Sequence, residues 1–311
     1  MSRPRLSAVV VHWRNETELE RLVAAWPADD PRFEMIVVDN SGSLETTPPW
    51  VVRLDPKSNL GFGGGVEAGR ARARGEAILV LNPDAAPEPG ALEILLDGLD
   101  RHPDAAGLVP ALFDDEGRSQ HRWQLAPLPT ATTLIGHTLF VGTSGFAEPP
   151  PAGAPIPQPA AAALLLRTRA LEAIGGFDEG YFPAWFEDVD LARRLATAGE
   201  ELIYLPAARF RHHGGASVPR LGYGPFLWVY YRNLQRYLRV HHGRLWVWVS
   251  TLTMVAGMKL RLALLPVRRP ALTRDRASAA RGLVAVISGV LSGWRLPGDL
   301  ARRFAGVEKK R

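Results

Sequence analysis

The stretch Ala77-Ile78-Leu79-Val80-Leu81-Asn82-Pro83-Asp84 decides how this chain is read. A short unbroken apolar run fits a strand buried on both faces, and Asn-Pro-Asp stops it with turn chemistry. Ala8-Val9-Val10-Val11 and Met35-Ile36-Val37-Val38 have the same character, and residues 51–54 form a weaker strand-like segment. Helical patterns are expected between them, over residues 16–26, 65–74 and 89–101. This alternation predicts an α/β protein with a doubly wound, mainly parallel sheet. Such sheets bind ligands at the carboxyl ends of their strands. The residues there are polar or acidic: Asn15-Glu16, Asp39-Asn40 and Asn82-Pro83-Asp84.

A chain of 311 residues, 46% apolar and 22% charged, has material for one large α/β domain and an appendage. The absence of cysteine excludes disulfides and thiolate metal sites. The formal charge is +5, but Arg and Lys crowd the region after Arg209. That asymmetry suits an anionic partner, either a membrane surface or a phosphorylated substrate. No nucleic-acid-binding motif is present, so no nucleic-acid partner is expected. Residues 7–13 are too short for a signal-peptide core, which predicts a cytoplasmic protein.

Residues 142–159 are rich in Gly and Pro and read as a long mobile loop, either a lid or a passive linker. A helix is expected over residues 223–240, followed by an uncharged stretch at residues 245–258. That stretch is short for a membrane span. Arg239, His241, His242 and Arg244 flank it on one side, and Lys259, Arg261, Arg268 and Arg269 on the other. Basic residues around an apolar helix suit anionic lipid head groups. Packing on the rest of the chain, or in a homodimer interface, is the alternative. The organisation expected is a domain over residues 1–218 and a helical, basic and apolar extension over residues 219–311.

Chemistry is concentrated in Gly175-Gly176-Phe177-Asp178-Glu179 and in Trp185-Phe186-Glu187-Asp188-Val189-Asp190-Leu191. Carboxylates pressed against Tyr181, Phe182, Trp185 and Phe186 lose hydration, which raises their pKa toward a useful value for a base. If a helix begins near Glu187, Asp190 faces Arg194 four residues on and Arg193 three on, so an ion pair accounts for it. Asp188 has no basic partner at those spacings and is the best candidate base, with Glu187 next. Asp178 and Glu179 are expected to shape the preceding turn. Asp84 at its strand's carboxyl end can reach Mg²⁺ or Mn²⁺ bridging a diphosphate, and the same residues also make a good β-turn. Asn59-Leu60-Gly61-Phe62-Gly63-Gly64-Gly65 can present backbone N–H groups to phosphate. Val66 occupies the place of the third glycine in a dinucleotide fingerprint, which argues against a dehydrogenase. His212-His213, before a Gly-Gly turn, are candidate ligands for Mn²⁺ or Zn²⁺ or simply structural.

In order and spacing these segments resemble the family 2 glycosyltransferases, and most closely their rhamnosyltransferase-like branch. The matching words are Val9–Asn15 (VVVHWRN), Val37–Ser43 (VVDNSGS), Asn59–Gly63 (NLGFG) and Leu81–Asp84 (LNPD). They continue with Gly176–Glu179 (GFDE), Phe186–Leu191 (FEDVDL) and His212–Ser217 (HHGGAS). The resemblance covers residues 6 to about 240. It implies a GT-A fold, Rossmann-like, and an inverting sugar transfer from a nucleotide diphosphate sugar. It implies further that Asp39 recognises the donor base, while Asn15, Asn59, Gly61 and Gly63 line the nucleotide site. Asp84 and His212 would hold Mg²⁺ or Mn²⁺, and Asp188 would be the catalytic base. Rhamnose from its dTDP sugar is the favoured donor by resemblance. A glycan or polyprenyl-linked glycan would accept the sugar, at the inner face of the cell membrane. Glu67 replaces an asparagine usual in the family, and Ala161 a glycine. The competing readings are a sugar nucleotidyltransferase and a catalytically silent nucleotide-sugar-binding or scaffold protein. The first would want a glycine-rich basic loop where this chain has His12-Trp13-Arg14-Asn15-Glu16.

Overall fold

A run of buried aliphatic residues with alternating faces organises the first half of the molecule. In the computed structural model, which describes residues 3–139, 145–214, 221–267, 273, 275–295, 298 and 304, these runs become strands. They are β1 (Leu6–His12), β2 (Phe33–Asp39), β3 (Val52–Leu54) and β4 (Ala77–Leu81). β5 (Ala85–Pro87), β6 (Gly107–Phe113), β9 (Ala163–Arg167) and β10 (Leu202–His212) complete an eight-stranded sheet in the order β3-β2-β1-β4-β9-β6-β10-β5. β7 (Leu125–Ala126) and β8 (Gln158–Pro159) form a separate short pair. β3, β2, β1 and β4 are mutually parallel, as are β6 and β10, while β9 and β5 run antiparallel to their neighbours. The sheet is mainly parallel, as expected, with antiparallel strands at β9 and β5.

Because side chains alternate along a strand, β1 serves two cores. Ala8 and Val10 join Leu19 and Leu22 of α1 (Glu16–Ala24) and Leu92, Leu95 and Leu99 of α3 (Ala91–Arg101) on one face. Val9 and Val11 join Val66 of α2 (Gly61–Arg70), Leu171 of α6 (Thr168–Ile174) and Leu191 of α7 (Glu187–Thr197) on the other.

Helix α2 corrects the sequence reading. The glycine run is its first turns, not a loop before it, so the helix begins four residues ahead of the expected start. Helical glycine is unfavourable by itself, and packing overrides that cost: a Cβ on Gly69 would stand 2.3 Å from Val9 Cγ1. The chain needs those glycines to lay α2 directly on β1.

Two short helices, α4 (His121–Gln124) and α5 (Ala131–Thr138), follow β6. Within the stretch expected to be mobile, residues 153–156 are laid along β10. Gly153 N donates to Tyr204 O and Ile156 N to Leu202 O, each pinning the segment to the strand. Residues 142–144 of the proposed loop lie outside the described residues.

The chain ends in α8 (Tyr223–His241), α9 (Arg244–Leu264) and α10 (Arg276–Leu291). They share a core with α5, Tyr181 and Phe186, so these helices pack on the segment that leads into α7. Arg268 and Arg269, expected to flank the apolar stretch, lie outside the described residues.

Candidate active site

A cavity of about 230 Å³ opens over the carboxyl ends of β1 and β4, and Asn15, Asn82, Pro83 and Asp84 from those ends line it. Asn15, Asn40, Asn82 and Asp84 reach it from the sheet, Asn59 and Gly61 from the start of α2, and Glu187 and Asp188 from the start of α7. Residues 15 to 188 thus meet because parallel strands all deliver their carboxyl ends to one edge of the sheet.

The carboxylates separate as their neighbours dictate. Asp190 is buried; its Oδ2 accepts from Arg194 Nε at 2.7 Å, and its Oδ1 accepts from Tyr181 Oη at 3.2 Å and lies 2.7 Å from His241 Nε2. Burial opposes ionisation there, but the His241 hydrogen bond and the Arg194 charge hold its pKa below the usual carboxylate range. Asp190 is a joint between α7 and α8, as the sequence spacing anticipated for Arg194. Asp188 pairs with no cation among the described residues: Oδ1 accepts from Val189 N at 2.8 Å and Oδ2 from Ala161 N at 3.3 Å. Burial pushes its pKa up. Glu187 is pushed well above its ordinary value by burial and then by the charge of Asp188, and its Oε2 is buried with no hydrogen-bond partner. Adjacent carboxyls in such surroundings disfavour ionising together, and the charge of Asp188 makes Glu187 the more readily neutral.

The turn feeding these residues is strained. Trp185 and Phe186 both adopt left-handed backbone, with φ of 72° and 74°, at about 1–2 kcal/mol each for residues with a Cβ. Aromatic contacts hold the rings: Trp185 lies edge-on to Phe226 at 4.9 Å and Phe186 to Tyr230 at 5.2 Å. Before the turn, Asp178 caps a short 3₁₀ segment by accepting from Gly180 N and pairs with Arg236 at 2.6 Å.

Asp84 and His212 are 128 positions apart, yet the antiparallel β5–β10 register sets His212 opposite Ala85. Asp84 Oδ1 is 3.5 Å from His212 Nε2. Gln120 determines what stands between them. Its Nε2 donates to His212 O at 2.8 Å, which turns its Oε1 toward His212 Nδ1 at 2.7 Å. A carbonyl oxygen only accepts, so Nδ1 carries the proton and the Nε2 lone pair faces the Asp84 carboxylate. Two facing acceptors suit a cation, and a two-ligand site completed by phosphate oxygens and water suits Mg²⁺ or Mn²⁺. No cluster of three or more metal-binding side chains occurs among the described residues. Trp123 stacks on His212 with ring centroids 5.1 Å apart and also lines the cavity. Gln120 and Trp123 carried no sequence signal, being single residues in an irregular stretch. His213 turns away toward Asp115 and Arg21. Gly215, Ala216 and Ser217 of the same motif lie outside the described residues.

Other candidates stand elsewhere than expected. Asp39 does not line the cavity; its Oδ1 accepts from Ser41 N, Ser41 Oγ and Gly42 N, and its Oδ2 from Leu44 N. A carboxylate so occupied braces its own turn, and its pKa, although burial opposes this, is lowered by those hydrogen bonds. Gly63 is turned from the cavity toward Phe177 and Asp178. The N–H groups expected to cradle phosphate are taken: Gly61 N donates to Asn59 Oδ1 at 2.8 Å and Phe62 N to Pro183 O at 2.6 Å. Gly61, at φ 73°, also needs its missing Cβ, which would stand 2.8 Å from Pro183 O. Glu67, the departure from the family pattern, contacts a cation: it pairs with Arg70 at 2.6 Å and accepts from Phe177 N at 2.9 Å.

Comparison with known proteins agrees with this geometry. Residues 7–147 match the model of Glycosyl transferase family 2. The chain is 28% identical over 301 residues to the N-acetylglucosaminyl-diphospho-decaprenol L-rhamnosyltransferase of Mycobacterium tuberculosis, covering 87% of this chain and 95% of that protein. It is 27% identical over 226 residues to the rhamnosyltransferase WbbL of Escherichia coli, covering 67% of this chain and 84% of that protein. Among solved structures, the mannosyltransferase PcManGT of Pyrobaculum calidifontis, determined with GDP-Man and Mn²⁺, superposes with a TM-score of 0.54. That pair is 14% identical, over 95% of this chain and 89% of the other. Sheet, cavity and sequence point the same way: the chain is a glycosyltransferase built on the GT-A fold, and its residues 7–147 are similar to glycosyl transferase family 2.

Proposed function

We propose that this enzyme is an inverting rhamnosyltransferase, moving rhamnose from dTDP-rhamnose to a hydroxyl of a lipid-linked glycan. The observation that carries the reading is one cavity lined jointly by Asn15, Asp84, Glu187 and Asp188. The rhamnosyltransferases among its relatives, one of them named for a diphospho-decaprenol substrate, favour this donor and acceptor.

Asp188 takes the proton of the acceptor hydroxyl as its oxygen forms a bond to C1 of the sugar. The bond from C1 to the phosphate oxygen breaks, and the nucleotide diphosphate leaves with that electron pair. Burial, which raises the affinity of Asp188 for a proton, fits it for this step. Burial and the charge of Asp188 raise the affinity of Glu187 for a proton, which favours its neutral form and limits the negative charge at the site as the proton moves. Asn15 and Asn59 flank the nucleotide end of the cavity, while Asp39 acts through the turn it braces. Mg²⁺ or Mn²⁺ held by Asp84 and His212 would neutralise charge on the departing diphosphate.

The acceptor's lipid places the enzyme at a membrane, and α9 offers the contact. Leu245, Trp248 and Leu252 are exposed at 71%, 70% and 70%, on one helical face. Ser250, Met254, Gly257 and Met258, on the opposite face, are buried against the protein. A helix with one face on protein and the other apolar and bare lies on a bilayer rather than crossing it. Exposed Arg244 and Lys259 supply attraction to anionic head groups. The inner face of the cell membrane is the expected location.

The test is a panel of nucleotide sugars with Mg²⁺ or Mn²⁺ and a polyprenyl-diphosphate-linked acceptor, read by mass spectrometry of the product. A product heavier by one deoxyhexose, formed only from dTDP-rhamnose, is expected. Transfer from UDP- or GDP-sugars alone would overturn the donor assignment.

A further inference from the structure

The strained turn that delivers Glu187 and Asp188 is held by a helix far along the chain. Bulky residues keep left-handed backbone only where their surroundings over-determine it, and α8 supplies the restraint. Asn233, fully buried, sets its Nδ2 within 2.9 Å of Tyr181 O, 2.9 Å of Ala184 O and 3.0 Å of Trp185 O. Three carbonyl acceptors around one amide atom assign that atom as the nitrogen. Arg232, beside it on the helix, donates from Nη1 to Phe182 O and from Nη2 to Gly180 O. Phe62 N takes the remaining carbonyl of the segment, Pro183 O. Every carbonyl from Gly180 to Trp185 is therefore fixed by a donor, most of them from two adjacent residues of α8.

Packed beneath α8, these carbonyls need protein donors, and two adjacent residues supply most of them. A loop at the surface would satisfy its carbonyls with water. Here the loop is closed over by α8, and its last residues pass straight into the carboxyls of the cavity, where a displacement of about 1 Å costs a large factor in rate. We infer that Asn233 is a positioning residue for sugar transfer, with Arg232 as its partner: together they fix the turn at residues 180–186 so that Asp188 faces the acceptor hydroxyl. The inference rests on the reading of Asp188 as the base. It makes the C-terminal helices part of the catalytic apparatus as well as a means of attachment.

The experiment uses the full chain with Asn233→Ala, Arg232→Lys and Asp188→Asn. For each, kcat, the donor KM, the melting temperature and hydrogen exchange of peptides covering residues 178–190 are measured. Asn233→Ala is expected to lower kcat about ten- to hundredfold, leave the donor KM unchanged and speed exchange within residues 180–188 while the sheet stays protected. Arg232→Lys keeps the charge and loses the forked donation, and is expected to show the same pattern at smaller size; it carries the test if Asn233→Ala does not fold. Wild-type kcat in both variants, or a loss of kcat that follows opening of the whole molecule, would overturn the inference. Full turnover by Asp188→Asn would instead remove the base, leaving the effect of Asn233 on turn mobility to be read separately.

Discussion

Replacing Asp190 by Asn tests whether the catalytic helix is anchored to the C-terminal helices by charge. Asp190 is 1% exposed, and the substitution keeps its shape while removing the charge that His241 and Arg194 face. Breaking a buried pair in this way costs about 3–5 kcal/mol. Arg194 keeps two other acceptors, Ile174 O at 2.9 Å and Gly176 O at 2.7 Å, which reduces the cost to about 2–3 kcal/mol. For a chain of this size that corresponds to a fall in Tm of about 3–5 °C. The pH dependence follows from the lowered pKa of Asp190. Its contribution is complete above the unfolded-state value of about 3.9 and is lost as pH falls through the lower folded value. Denaturant midpoints of wild type and variant should therefore differ fully at pH 7 and converge below about pH 3.9. A Tm difference under about 1 °C at pH 7, or one that persists undiminished in acid, would refute the reasoning.

Asp188→Asn is expected to lower kcat by about 10²–10⁴ while the donor-induced thermal shift is retained; near-wild-type turnover would remove Asp188 from the base role. Because burial raises the Asp188 pKa, the acidic limb of the kcat/KM profile should lie above the ordinary carboxylate range, and a limb at about pH 4 would contradict the assignment. Gln120→Ala frees the His212 ring and is expected to weaken Mn²⁺ binding about 10–100-fold in a titration followed by electron paramagnetic resonance, where unchanged affinity would count against the site. Serine at both Trp248 and Leu252 should release the protein from vesicles containing phosphatidylglycerol in sedimentation assays with activity on a soluble acceptor unchanged; retained binding would exclude this face of α9.

Much of the site was legible because its residues follow strands. Asn15 and Asp84 stand just past runs whose apolar character marks them as buried strands, and both line the cavity. Asp190 was separated from Asp188 by helical spacing to Arg194, a local relation that the structure keeps. Residues whose roles depend on distant partners were not legible. Asp39 is a separate case: it has the place of a ligand-binding residue, yet its carboxylate is spent on Ser41, Gly42 and Leu44 of its own turn, a local conformation that the residue types alone do not specify. Gln120 and Asn233 are isolated polar residues, and only their tertiary contacts give them a role.

The sequence by itself determined the strands, the carboxyl-end positions and the assignment of Asp190 to an ion pair, since each follows from periodicity or spacing within a few residues. Tertiary structure decided the rest. The glycine run became helix because packing overrode propensity: Gly65 and, one turn on, Gly69 let α2 lie on Val11 and Val9, a contact invisible along the chain. The raised proton affinity of Glu187 and Asp188 comes from burial beneath residues that arrive from other elements. The left-handed turn before them persists because Asn233, 48 positions beyond Trp185, holds its carbonyls. Local pattern can specify an element, but a pKa or a strained turn depends on surroundings that exist only once the chain has folded.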